Sequence, residues 1–148
     1  MPLVFSEMSP EQVTGLWPHV SQGADEIYRR WHKAVEWVPN DVFNAIRKDR
    51  ARVSFMYDNN TRIGFLVYRI FWEEFTNKKY LHIWLAYLYP EFRFKLKDYL
   101  PQGIEYLNKT AKYHECKFME MDSLRKGWQV LLEGFGMKPK RLVYRKEI

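Results

Sequence analysis

The longest apolar run in the chain predicts a buried central strand. Tyr80–Pro90 holds nine apolar or aromatic residues before its proline, a pattern too continuous for a strand with one solvated face. Pro90 is expected to end the strand, because proline lacks the N–H that a central ladder requires. From Arg93 to Lys97, basic and apolar side chains then alternate.

Helical periodicity begins directly after this basic stretch. Apolar residues recur at three- and four-residue spacing, at Leu100, Ile104, Leu107 and Ala111. Asp98 is expected to cap this helix, with Pro101 in its first turn, where the missing N–H costs little. A buried strand, a loop and a helix N-terminus together form a common geometry for holding a phosphate group.

Shorter patterns on either side predict the remaining elements. Strands are expected at Leu3–Met8, Arg52–Tyr57, Ile63–Trp72, Lys117–Met121 and Arg141–Arg145. Helices are expected from Ser9 to about Val20, over Gly23–Val35 and Val42–Lys48, and from Ser123 through Leu132. The turn cluster Asp58–Thr61 predicts a hairpin. The order predicts one α/β domain, residues 1–148, with a central mixed twisted sheet of about six to seven strands flanked by helices.

Composition narrows the class of protein. With 148 residues, 47% hydrophobic and 28% charged, the chain has the composition of a soluble globular domain. No stretch approaches the ~18 continuous apolar residues of a membrane helix, and no basic leader precedes an apolar segment at the N-terminus. The single cysteine, Cys116, excludes an internal disulfide and is expected to pack in the core. These features predict a cytoplasmic protein.

The positive charge lies entirely in the second half of the chain. The formal net charge is +6, and from Arg93 onward there are 13 Lys and Arg against 7 Asp and Glu. This asymmetry indicates either an anionic partner near the basic stretch or a solvated basic surface that aids solubility. The sequence pattern favours neither interpretation.

Three features resemble the GCN5-related N-acetyltransferase (GNAT) family across nearly the whole chain. They are the element order, the stretch from Pro90 to Asp98, and the closing phrase Leu131–Phe135. In that family the fourth strand ends in a Pro-x-Tyr-Arg-Gly-x-Gly-like turn whose amides receive the pyrophosphate of acetyl-CoA. More narrowly, Trp84 and the run from Arg125 to Trp128 resemble a GNAT-like group encoded by bacteriophages, which includes internal virion proteins.

The resemblance implies transfer of an acetyl group from acetyl-CoA to an amine that the sequence does not identify. It also implies acetyl-CoA contacts at the end of the central strand, in the basic stretch and near the last helix. These positions are Leu88, Tyr89, Arg93, Phe94, Lys95, Leu96, Lys97, Asp98, Ser123 and Trp128.

The chain departs from the family at the glycine positions of the loop. Leu96 and Asp98 stand where the family has glycines, which allow the backbone to approach the pyrophosphate with no Cβ in the way. Asp98 also places a negative charge at the helix end that favours anions. The alternative is therefore a degenerate GNAT-fold protein, a phage structural or host-interaction module that does not use acetyl-CoA.

Catalytic candidates are few. Many family members carry a proton-donating tyrosine about four residues before the closing glycine; the matching positions here hold Val130 or Leu132. Candidates for the general base are His82, Glu120 and Glu73. Each has a structural interpretation as well: a hydrogen-bonded core histidine, a solvent-facing strand residue and a solvated corner.

Other chemistries receive less support. The four histidines are dispersed and show no metal-ligand spacing with Cys116. Nucleic-acid binding through the basic stretch, with Phe92 and Phe94 as stacking platforms, remains a third interpretation. It is the weakest, because no nucleic-acid-binding signature accompanies it. The expected partners are thus an unidentified amine or a protein, including phage structural proteins, and no membrane.

Overall fold

The computed structural model describes residues 2–31, 39–122, 126–140, 144, 146 and 148, with the side chains of 28, 30, 31, 39 and 126–129 left out. Five strands run along the chain: β1 Val4–Glu7, β2 Arg52–Asp58, β3 Thr61–Trp72, β4 Lys79–Leu88 and β5 Phe118–Met121. The helices are α1 Pro10–Trp31, α2 Pro39–Arg47, α3 Leu96–Tyr113 and α4 Lys126–Glu133. A short 3-10 helix, Pro90–Lys95, joins β4 to α3 and is called the connecting segment below.

The strands form one mixed sheet in chain order, β1-β2-β3-β4-β5. Every neighbouring pair is antiparallel except β4 and β5, which are parallel because α3 carries the chain back across the sheet. The predicted α/β domain with a mixed sheet is confirmed. Five strands lie in the described part of the chain, and most of the predicted final strand, Arg141–Arg145, lies outside it.

Each face of the sheet carries its own core. The first core, on the side of α1 and α2, contains Val13, Val20, Ala24, Val42, Ile46, Val53, Phe55, Phe65, Val67, Leu85 and Tyr87. The second core, on the side of α3, contains Leu3, Met56, Ile63, Leu66, Tyr68, Leu81, Ile83, Tyr99, Leu107 and Ala111. Burial on both faces explains why the central strand is so continuously apolar.

The predicted hairpin turn between β2 and β3 and the predicted start of α1 are confirmed, and both depend on residues close together in sequence. Asn59 and Asn60 both have positive φ, 49° and 68°, as a two-residue hairpin between right-twisted strands requires. Ser9 and Gln12 form the reciprocal capping box that starts α1: the Gln12 N–H donates to Ser9 Oγ at 3.2 Å, and the Ser9 N–H donates to Gln12 Oε1 at 2.9 Å.

The prediction of two helices between Ser9 and Val35 is wrong within the described residues. Helix α1 runs without a break from Pro10 to Trp31, through Gly23. Gly23 is there because α1 lies so close to the sheet that a Cβ would stand 2.7 Å from Phe65 Cε1 and 2.8 Å from Tyr87 Cδ1. Gly23 was expected to separate two helices, but it lies within one helix, where the sheet leaves no room for a Cβ.

The predicted start of α3 is also wrong. The helix begins at Leu96, so Asp98 lies in its first turn and does not cap it, and Pro101 lies in the second turn. No side-chain cap is made at the preceding residue, Lys95. The chain is already helical through the connecting segment, which removes the need for one.

Candidate active site

Strands β4 and β5 part halfway along the sheet. Their pairing covers Tyr80–Ile83 of β4, after which β5 ends while β4 continues to Leu88. From Leu85 onward β4 pairs with β3 alone among the described strands. Ala86, between two buried neighbours, is exposed. Among the described residues, therefore, no strand covers this edge of β4 beyond Ile83, and this edge is called the opening below.

A bulge sets the orientation of β4 at this opening. The register with β3 steps from Leu85 to Ile83, so that Trp84 is the extra residue. Leu85 consequently packs in the first core, whereas Ile83 packs in the second. The bulge lies where the pairing with β5 ends, as bulges beside sites often do.

Three ionisable side chains form a row across the sheet next to the bulge. Arg69 of β3 pairs with His82 of β4, and His82 pairs with Glu120 of β5. Arg69 is two residues from Val67 of the first core, so the row lies on the α1 and α2 side. Arg69 Nη2 lies 3.1 Å from His82 Nδ1, and His82 Nε2 lies 3.6 Å from Asp122 Oδ2.

Aromatic rings flank this polar row on both sides. The Arg69 guanidinium carbon stands 3.8 Å from the centroid of Trp84. The preceding register positions hold Phe71, Tyr80 and Phe118, whose centroids are 5.9 and 4.9 Å apart in succession. All of these rings are half-buried. The site thus combines a cation, an imidazole and carboxylates with an aromatic wall.

The hydrogen bond from Arg69 fixes the protonation of His82. A guanidinium has only donors, so His82 Nδ1 must accept the bond, and the neutral imidazole carries its proton on Nε2. The imidazole lone pair is therefore directed at Arg69 and not at a substrate. Asp122, whose side chain is 73% exposed, faces the protonated nitrogen.

The structure brings together two of the three predicted base candidates. His82 and Glu120 are register partners, whereas Glu73 lies in the turn after β3, roughly 13 Å further along the strand direction. The Glu73 carboxylate accepts a hydrogen bond from Thr76, and its N–H donates to Lys78 O. Glu73 is thus a turn residue. Sequence reasoning missed Arg69, whose only signal is a basic residue inside an otherwise apolar strand.

The connecting segment contributes Arg93 to a contact with α1. Arg93 Nη2 lies 2.7 Å from Glu26 Oε1, and Arg93 Nε donates to Leu88 O at 3.1 Å. The hydroxyl of Tyr87 donates to the second oxygen of Glu26. Burial, followed by the hydrogen bond to Glu26, raises the pKa of Tyr87 to about 12.

Of the other basic residues in this region, Lys95 is paired with a carboxylate and Lys97 is exposed to solvent. Lys95 Nζ lies 3.8 Å from Asp58 Oδ2, an oxygen that also accepts a hydrogen bond from Tyr99 at 2.6 Å. Lys97 and Asp98 are exposed in the first turn of α3. The charges near the connecting segment therefore largely cancel.

The aromatic residues of the segment do not form a stacking pair. Phe94 is 79% exposed, whereas Phe92 packs against the second core. This geometry removes one of the two platforms on which the nucleic-acid interpretation depended.

The remaining predicted cofactor positions have structural roles or lie outside the description. Leu88 packs against the second core and Tyr89 against the first, and the Tyr89 N–H donates to Ile63 O at 2.8 Å. Ser123 and the side chain of Trp128 lie outside the described residues.

The described residues fit the acyl-bearing arm of an acyl-CoA better than its diphosphate. The second half of β4 has backbone groups that no described strand other than β3 pairs with. In the connecting segment, groups that could bind a diphosphate are already bonded within the chain: the Phe92 N–H donates to Tyr89 O, the Leu96 N–H donates to Arg93 O, and Arg93 is paired with Glu26. Backbone amides and a cation are the groups that a diphosphate requires.

Solved structures of acetyltransferases have the same fold. A possible acetyltransferase from Clostridium difficile 630 is 11% identical, with a TM-score of 0.69 over 100% of this chain and 99% of that one. A ribosomal-protein-alanine N-acetyltransferase from Brucella melitensis is 12% identical, with a TM-score of 0.69 and 99% of each chain covered. A GNAT family acetyltransferase from Staphylococcus aureus is 16% identical, with a TM-score of 0.67 and both chains fully covered.

These likenesses establish that the chain has the GNAT fold. No protein-family model matches the sequence, and no curated protein matches it. Among the described residues, no helix is long and apolar enough to cross a membrane. The same residues contain no group of three His, Cys, Asp or Glu side chains suited to a metal ion.

Proposed function

We propose that this protein is a GNAT-like N-acyltransferase that moves an acetyl group from acetyl-CoA to an amine. The observation that carries the proposal is the row Arg69–His82–Glu120, which lies beside the opening between β4 and β5. The opening supplies a place for the acyl group, and the row supplies groups that bind and deprotonate an amine. The fold of the neighbouring acetyltransferases supports this assignment.

Glu120 is the proposed general base. An amine at neutral pH is protonated and must lose a proton before its nitrogen can attack a thioester carbonyl. His82 Nδ1 accepts the hydrogen bond from Arg69, and Glu120, the register partner of His82, has the carboxylate that takes the proton from the amine. The nitrogen then forms the new N–C bond, the C–S bond breaks, and the sulfur leaves as a thiolate; the second proton of the nitrogen passes to the thiolate or to solvent. His82 then acts as a positioning residue.

The acceptor expected here is a cationic amine on an apolar or aromatic body. Among the described side chains next to His82, the two carboxylates of Glu120 and Asp122 outnumber the guanidinium of Arg69, which is stacked on Trp84. The half-buried rings along the row offer both apolar contact and cation–π attraction.

The test is thiol release from acetyl-CoA in the presence of a panel of primary amines. Glu120→Gln should lower turnover at least about 100-fold, the usual contribution of a general base. Glu105→Gln is the matched control, because Glu105 pairs with Lys109 on the exposed face of α3. Full activity of folded Glu120→Gln would refute the assignment.

The positioning role of His82 has a readout that does not depend on turnover. Nitrogen-15 chemical shifts should show the neutral tautomer protonated at Nε2, and Arg69→Gln should shift the tautomer balance. A proton found on Nδ1 in the wild-type protein would return His82 to the list of bases.

A second candidate is the catalytically silent GNAT-fold protein, including a phage structural or host-interaction module. It is favoured by the connecting segment, whose cations are paired inside the chain. This candidate predicts neither saturable acetyl-CoA binding in a calorimetric titration nor thiol release with any amine. Its partner would be a protein, found by its binding to the folded chain.

A further inference from the structure

At the end of β4, two side chains bind a carboxylate of the same chain, that of Glu26. The two oxygens of Glu26 are held by Arg93 Nη2, at 2.7 Å, and by the hydroxyl of Tyr87. A guanidinium together with a hydroxyl is an arrangement that also binds phosphate oxygens. In this protein the carboxylate of an α1 residue takes that place.

Groups of the chain itself already engage Arg93. Its Nε is bound to Leu88 O, its Nη2 to Glu26, and its guanidinium carbon lies 5.5 Å from the ring centroid of Tyr87. Helix α1 packs closely on β4 beside this contact, since a Cβ added at Gly23, one turn before Glu26, would stand 2.8 Å from Tyr87 Cδ1.

The charge around the connecting segment gives a diphosphate little attraction. The cations are Arg93, Lys95, Lys97 and Arg62, which hydrogen-bonds to Tyr89; the carboxylates beside them or within the same turns are Glu26, Asp58, Glu91 and Asp98. Four positive charges against four negative ones leave no net positive charge among these residues. A ligand with two adjacent phosphates would therefore gain little electrostatic steering.

We propose that Glu26 fills the anion position at the end of β4, so that the connecting segment fastens α1 to the sheet and holds no nucleotide diphosphate. If no diphosphate is held, the acyl donor is a thioester that the protein binds through its pantetheine arm alone. This second step rests on the proposed acyltransferase function, whereas the first does not.

The first experiment titrates the full chain with 3′-phosphoadenosine 5′-diphosphate (the nucleotide part of CoA), acetyl-CoA and S-acetylpantetheine. We expect no saturable binding of the nucleotide and affinities for the two thioesters within about threefold of each other. Micromolar binding of the nucleotide, or acetyl-CoA binding more than about tenfold tighter than S-acetylpantetheine, would overturn the proposal. If neither thioester binds, the proposed function and the donor class fail together, whereas the nucleotide titration still tests whether the connecting segment holds a diphosphate.

The second experiment releases Arg93. Glu26→Gln keeps the side-chain volume and removes the charge, so it should create salt-sensitive binding of inorganic pyrophosphate that Glu26→Gln with Arg93→Gln lacks. The control is Asp25→Asn, because Asp25 precedes Glu26 on the same helix but pairs with Arg29 at 2.9 Å. Pyrophosphate binding that stays absent in folded Glu26→Gln would show that Glu26 does not fill the position. Should Glu26→Gln fail to fold, the titration of the wild-type protein with 3′-phosphoadenosine 5′-diphosphate still tests whether the segment holds a diphosphate.

Discussion

Replacing Gly23 by alanine tests whether α1 is seated on the sheet as closely as the structure shows. The added Cβ would lie 2.7 Å from Phe65 Cε1, 2.9 Å from Phe65 Cζ and 2.8 Å from Tyr87 Cδ1. Neither ring can move away cheaply, because Phe65 is fully buried and Tyr87 is held by Glu26. Overpacking of this kind costs about 1–3 kcal/mol, against which alanine gains up to about 1 kcal/mol in helix propensity.

The same helix provides the matched control. Gly15 lies in α1 with nothing within 4 Å of its added Cβ, so Gly15→Ala should stabilise the protein by about 0.5–1 kcal/mol. Urea unfolding should therefore place Gly23→Ala about 1–3 kcal/mol below Gly15→Ala in free energy of unfolding. Equal stability of the two variants would refute the close seating of α1. It would also weaken the argument that Glu26 is held against Arg93.

Three further predictions concern the strands and the titrating groups. Gly64→Ala should lower the free energy of unfolding in urea titration by about 3 kcal/mol or more. The reason is that the added Cβ would stand 2.1 Å from the Tyr87 carbonyl oxygen of the neighbouring strand. Gly103→Ala in α3 is the control and should not lower it, because its added Cβ has no neighbour within 4 Å. The stability of the wild type should fall as pH rises from 10 towards 12, because the unfolded chain releases the Tyr87 proton near pH 10 while the folded chain holds it to about 12. Tyr87→Phe should reduce this slope without removing it, because burial also raises the pKa of Tyr68 and Tyr99, and an unchanged slope would contradict the contact. Burial raises the pKa of Cys116, so the thiol should react with iodoacetamide at pH 8 more slowly in the folded protein than in urea, and equal rates would show that it is accessible.

The features that sequence predicted well are those set by neighbouring residues. The hairpin at Asn59 and Asn60 follows from side chains that tolerate positive φ, and the start of α1 follows from the reciprocal bonds of Ser9 and Gln12. The central strand follows from an apolar run that only a sheet covered on both faces accommodates. Each of these signals lies within about a dozen residues.

The features that sequence missed depend on contacts between distant segments. The row across the sheet depends on two registers that join Arg69 to His82 and His82 to Glu120. His82 and Glu120 were each predicted singly, from residue type and expected strand. The one signal of Arg69, a basic residue inside an apolar strand, is weak, since a basic residue in a strand most often faces solvent. The bulge at Trp84 could not be predicted, because no turn-forming residue marks it in the sequence.

Different side chains lie beside the two halves of β4. Whether the protein acylates an amine and whether it binds a nucleotide are therefore separate questions. The polar row and the opening lie at its middle, where an amine and an acyl group would meet. At its end, Glu26 and Arg93 neutralise each other. An acyltransferase that ignores the nucleotide of its donor is consistent with both halves, whereas nucleotide-dependent binding is consistent only with the first. Loss of activity in Glu120→Gln and gain of pyrophosphate binding in Glu26→Gln are therefore independent measurements, because Glu120 lies on β5 beside the middle of β4, whereas Glu26 lies on α1 beside its end.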